Sequence, residues 1–108
     1  MAIEWNTTAT NMEKAVGGVL GKTWSNVSVG ASAQLSAVAA AGRAIEQGKD
    51  TMTQADYDNL KLMQQRALEG VLQAYQGISL VVAEQAASAA WGVVAAALKT
   101  AYPALVFL

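Results

Sequence analysis

From Trp24 onward the apolar positions recur in sevens: Trp24, Ala31, Val38 and Ile45, with Leu20, Val27 and Ala41 as companions. That spacing lines one side of a helix and predicts a helix over residues 24–47, interrupted in its seam only by Gln34. A second series runs Leu68, Tyr75, Val82, Ala89 and Ala96, flanked by Val71, Leu72, Ile78, Ala86 and Val93. It predicts a single helix over residues 53–99, about 45 residues and about 70 Å long at 1.5 Å per residue.

Punctuation residues set the expected boundaries. "TNME" (Thr10 to Glu13) has the capping-box form and predicts a helix over 10–20. Gly17, Gly18 and Gly21 each weaken a helix by about 1 kcal/mol relative to alanine, so a bend or break is expected there. Gly48 is read as the glycine just past a helix end, with a turn over 48–52. "TQAD" (Thr53 to Asp56) supplies a hydroxyl cap and an acidic first turn for the next helix. Pro103 is the sole proline, so helix stops before it and residues 103–108 form a tail. The fold class is all-α: one domain over 1–108, a helical hairpin with a kinked first arm and a long second helix.

Composition adds a demand for company. Hydrophobic residues make up 54% of the chain and charged ones 14%, well below the usual quarter, and a chain of 108 residues has little interior. Assembly into a homo-oligomeric ring or tube, or contact with lipid, is therefore expected. The absence of histidine and cysteine removes the commonest general base, the commonest metal ligand and any thiol chemistry. No catalytic residue, cofactor or metal site is expected, and the chain is not read as an enzyme. A net charge of −1 gives no basic footprint for nucleic acid. The start "MAIEW" has no basic n-region, so a secretory signal is not expected.

Charge is unevenly placed. Thr23 to Gly42 carries none, nine charged residues fall between Arg43 and Glu69, and Glu84 is the last before Lys99. A hairpin with a charged tip and uncharged shafts follows. The shafts either pack on neighbouring copies or line a bilayer pore; in a pore, Glu84 and Gln85 are the candidate lumen-facing residues, since a carboxylate at membrane depth needs a lumen or a protein interior. Trp91, Val94, Leu98, Tyr102 and Phe107 are candidate lipid-facing or interfacial residues, with Lys99 able to snorkel. Leu20, Trp24, Val27, Ala31, Val38, Ala41, Ile45, Leu68, Tyr75, Val82 and Ala89 are the candidate subunit-packing residues. Small residues at four-residue spacing, such as Gly17/Gly21 and Ser32/Ser36/Ala40, would allow close helix approach. Trp5 precedes the first expected cap and is read as an anchor onto a neighbour.

A short, alanine-rich, helical chain without histidine or cysteine and with apolar ends resembles the ejection proteins of short-tailed bacteriophages. That resemblance spans the chain but rests on composition and hairpin layout, so no functional residue is transferred from it. It implies a structural subunit of a DNA-conducting tube or pore, present in the virion and then in the host outer membrane. Its partners would be further copies of itself, membrane lipid and other virion proteins, with DNA only as passing cargo and no sequence-specific binding. The alternative is a soluble, secreted or cytoplasmic helical-hairpin interaction module. Of two such families, the WXG type places Trp-x-Gly in the hairpin turn, where this chain has "QGKDTMTQ", and secretion-needle subunits are more charged along the shaft.

Overall fold

Two glycines reverse the chain, one where the sequence predicts a bend or break and one where it predicts a straight run. A computed structural model describes residues 2–108. It contains α1 (Trp5–Leu20), a 3-10 turn (Gly21–Thr23), α2 (Trp24–Gly48), α3 (Gln54–Gln73) and α4 (Leu80–Ala101). Among the described residues, positive φ occurs at Gly21 (59°) and Gly77 (91°), one in the α1–α2 connection and one in the α3–α4 connection. Glycine alone takes such angles without a steric penalty from Cβ.

Each arm of the expected hairpin is therefore itself a hairpin. The face of Gly17 meets Trp24 near one end of α1, while the Trp5 ring covers Gly42 near the other, so α1 and α2 run antiparallel. Tyr75 packs over Gly30 at the far end of the α2–α3 pair. Tyr57 meets Trp91 across α3 and α4, and α4 returns along α1. The result is an up-down-up-down four-helix bundle, the arrangement short connections favour. Its longest dimension is 41 Å, which a continuous helix over 53–99 would far exceed. That expected helix is corrected to two: Ser79 caps α4 by accepting from the Val82 amide at 3.2 Å, and Tyr75 and Ile78 lie in the connection.

Other boundaries follow the local chemistry. The hydroxyl cap at Thr53 forms as expected, accepting from the Asp56 amide, and Asp56 accepts in turn from the Thr53 amide, which completes a full capping box. The box at Thr10 does not form. Helix α1 begins five residues earlier because Trp5 is pinned inside the bundle, and the Thr10 hydroxyl donates instead to the Asn6 carbonyl within that helix. Gly48 is the last residue of α2 rather than a left-handed residue beyond it; its carbonyl takes the amides of Thr51 and Met52 to close the turn. Helix α4 stops at Ala101, ahead of Pro103, as expected.

The core closes within one chain. Met12 and Val16 of α1, Leu35 and Ile45 of α2, Leu68 and Leu72 of α3, and Val94 and Leu98 of α4 are all fully enclosed. Each large aliphatic side chain so enclosed contributes about 1.5–3 kcal/mol. The accessible surface is 6015 Å², against about 5,700 Å² for a typical folded monomer of this mass. Not all of the apolar excess is buried in this way: Val29, Met63, Leu80, Val81 and Val106 stay more than half exposed. Much of it is alanine, and Ala83, Ala86, Ala87 and Ala90 fill the inner face of α4 where larger side chains would hold the helices apart.

Candidate functional site

The expected seam residues are brought together, but by the chain's own fold. Leu20, Val27, Ala31, Val38, Ala41, Ile45 and Leu68 are buried, while Trp24, Tyr75 and Val82 pack partly buried against the core and Ala89 is half-buried. Their assignment to contacts between subunits is corrected to contacts between helices, because four antiparallel helices consume the heptad faces internally. The lipid-facing set is corrected for the same reason. Trp91, Val94, Leu98 and Phe107 are buried, and Tyr102 is half-buried. Helix α4 has the length and apolarity of a membrane span, with a mean hydropathy of 1.4 over its most apolar window. In the bundle its outer face shows Glu84, Gln85, Ser88, Gly92, Lys99 and Thr100, together with the apolar Leu80, Val81 and Ala96. Glu84 and Gln85 are thus at the surface.

One polar cluster organises an end of the bundle. Glu46, near the end of α2, is 9% exposed. Its Oε1 accepts from the Trp5 indole Nε1 at 2.8 Å, and its Oε2 accepts from the Ile3 amide at 2.9 Å and from the Tyr102 hydroxyl. Lys49 stands beside it, its Nζ 4.7 Å from the centre of the Tyr102 ring and donating to the Glu46 carbonyl at 3.4 Å. Burial pushes the Glu46 carboxyl towards neutrality, but the bonds from Tyr102, Trp5 and Ile3, together with the Lys49 charge, outweigh it and hold the carboxyl below its ordinary value. Conversely, the bond to that carboxylate, aided by burial, raises the Tyr102 hydroxyl. Three hydrogen bonds to the Glu46 carboxylate join three segments of chain. Glu46 thus latches these segments together at one end of the bundle.

Trp5 is the residue most differently placed from expectation. Instead of reaching a neighbour it begins α1, with its ring over Gly42. A Cβ at Gly42 would overlap that ring and stand 3.1 Å from Val94. Nothing in the local sequence singles out Glu46 from the other charges near the turn. Its role depends on Ile3, Trp5 and Tyr102, which the sequence separates widely.

A second cluster lies between α3 and α4. Trp91 Nε1 donates to the Tyr57 hydroxyl at 2.9 Å, and the rings meet edge-on at 5.9 Å. Phe107, from the tail, stacks at a tilt on Tyr57 with ring centres 5.0 Å apart. The cleft around it is lined by Gln54, Asp58, Ser88, Gly92 and Ala95. On the other flank of α4 an apolar groove runs between α1 and α4, lined by Thr8, Val93, Ala96 and Ala97. Among the described residues no three carboxylates gather as a metal site would require. Compared with protein-family models, curated proteins and solved structures, the chain has no match.

Proposed function

We propose that this chain is a structural subunit, without catalytic work, that acts by packing against copies of itself. The observation that supports this is the outer face of α2. Val29, Ala33, Ala37, Ala40 and Ala44 follow at three- and four-residue spacing and are all exposed, Val29 at 87%. The helix carries no charge before Arg43. A helix side that meets only water normally carries charged residues. A bare row of small side chains instead offers a second helix a close approach.

The assembly in view is a ring or tube, in the setting the composition resembles: a phage ejection apparatus conducting DNA across the host outer membrane. Glu84 and Gln85, exposed on α4, would line its lumen and give a mildly acidic wall that does not hold DNA. Other virion proteins and membrane lipid are its further proposed partners. Lipid contact through Trp91, Val94, Leu98 and Phe107 asks for more than self-association, since these would have to leave the bundle first, whereas Leu80 and Val81 are already exposed on α4. The closed core favours a second reading, a soluble helical interaction module that assembles without lipid.

Light scattering and electron microscopy of the purified protein, in plain buffer and with liposomes, test both. Rings or tubes that form on liposomes support the pore. Assemblies in buffer that do not float with liposomes support the soluble module. A stable monomer at micromolar concentration under both conditions would overturn self-assembly altogether.

A further inference from the structure

We propose, resting on the lipid contact named above, that the end of the bundle remote from Glu46 is a bilayer-docking tip. Ile78, Leu80 and Val81 enter the headgroup layer of an anionic membrane, with Lys22 beside them.

Two connections meet at this end, residues 21–23 between α1 and α2 and residues 74–79 between α3 and α4. Apolar side chains stand in water there. In the first turn of α4, Leu80 is 52% exposed and Val81 is 63% exposed, and Ile78 just before them is half-buried. Ser79 caps the helix at this point, so the pair is presented on a regular helix and not on a loop. Both can meet an apolar phase with every core contact kept, which Trp91, Val94 and Leu98 cannot.

The tryptophans and tyrosines divide in the same way. The Trp5 and Trp91 indoles and the Tyr57 and Tyr102 hydroxyls are all engaged in side-chain hydrogen bonds. Trp24 and Tyr75, at the proposed tip, are part-exposed. Among the described residues neither the Trp24 indole nitrogen nor the Tyr75 hydroxyl is paired with a side chain, and neither is enclosed. An aromatic body packed on the protein with a free donor at its edge suits the headgroup layer, where Trp and Tyr collect.

Charge selects the lipid. Lys22 is exposed and is the only charged residue in either connection, and without it the chain is net acidic. Glu69 and Glu84 lie at least a turn back along α3 and α4. A lone cation at the apolar end of an acidic molecule complements an anionic surface and turns the remainder away from it. The seat is the headgroup layer and not the hydrocarbon, because residues 74–79 leave the helix and backbone amides there would find no partner among acyl chains. Docking therefore needs no span and leaves the four helices packed.

The chain has no cysteine, so one introduced thiol carries an environment-sensitive dye cleanly. Dye on Val81→Cys should brighten and shift blue with phosphatidylcholine vesicles containing about a third phosphatidylglycerol, and several-fold less with pure phosphatidylcholine. Dye on Ala55→Cys, exposed in the first turn of α3 at the Glu46 end, should not respond. Leu80→Gln together with Val81→Gln should lower flotation with the anionic vesicles about tenfold, and Lys22→Gln about fivefold. Val106→Gln, at a more exposed apolar site in the tail, should leave flotation unchanged. If the wild-type chain floats and the tip variants float equally well, the tip is overturned while lipid contact stands. If the wild-type chain floats with neither vesicle, the tip and the lipid reading fall together. An equal response to both vesicles overturns the anionic assignment. A blue shift at Val81→Cys that grows with protein concentration in vesicle-free buffer assigns the tip to a protein contact and overturns the bilayer. Should the double variant lose its helical circular dichroism, the two dye positions decide alone.

Discussion

Trp5 and Glu46 lie 41 positions apart and are joined by a 2.8 Å hydrogen bond from indole to carboxylate. That bond ties the first turn of α1 to the last turn of α2, and through Tyr102 the same carboxylate reaches the end of α4. Replacing Trp5 by Phe keeps most of the ring over Gly42 but removes the donor. A bond to a charged group contributes about 1.5–3 kcal/mol. The loss should be of that order in urea unfolding, with little change in the slope.

Glu46 and Tyr102 set opposite ends of a pH plateau. The folded-state carboxyl lies below its unfolded value, so its contribution is complete above about 4.5 and is lost as pH falls through the folded value. Tyr102 is raised, so its contribution is complete below 10 and is lost as pH climbs through its folded value. Melting followed against pH should show a flat centre and two falling limbs. Glu46→Gln should lower the centre and flatten the Glu46 part of the acid limb; an unchanged acid limb would show that other carboxylates produce it.

Two glycines should respond in opposite directions to alanine. Gly77 has a φ of 91°, so Gly77→Ala should lose about 1 kcal/mol or more. Gly18 lies inside α1 with open space where a Cβ would go, so Gly18→Ala should gain about 0.5–1 kcal/mol. Equal effects in thermal melts would contradict the reversal assigned to Gly77.

Leucine scanning along α2 separates folding from assembly. Ala31 is fully enclosed, and Ala31→Leu should overpack the bundle by about 1–3 kcal/mol. Ala33 is exposed on the bare outer face, and Ala33→Leu should leave the melting of the isolated chain within about 0.5 kcal/mol. Its effect should instead appear in sedimentation, as altered assembly. If both variants melt alike and assemble alike, the outer face of α2 is not a contact surface.

The sequence by itself determined that this chain is helical, where α2 runs, the cap at Thr53 and the stop before Pro103. These depend on neighbours within a turn or two, and heptad spacing, a Thr-to-Asp box and a missing amide act at that range. Only the tertiary structure decided what the seams face. A heptad repeat states that one side of a helix avoids water, but the same stripe fits a sister helix, a second subunit or lipid. Two reversals at Gly21 and Gly77 settled that choice by folding α1 on α2 and α3 on α4. That movement placed Trp91, Val94 and Leu98 indoors and left Val29, Ala33 and Ala37 outside. The Glu46 latch belongs to the same category: four residues from three segments converge there because antiparallel helices bring Trp5, the end of α2 and Tyr102 to one end of the bundle.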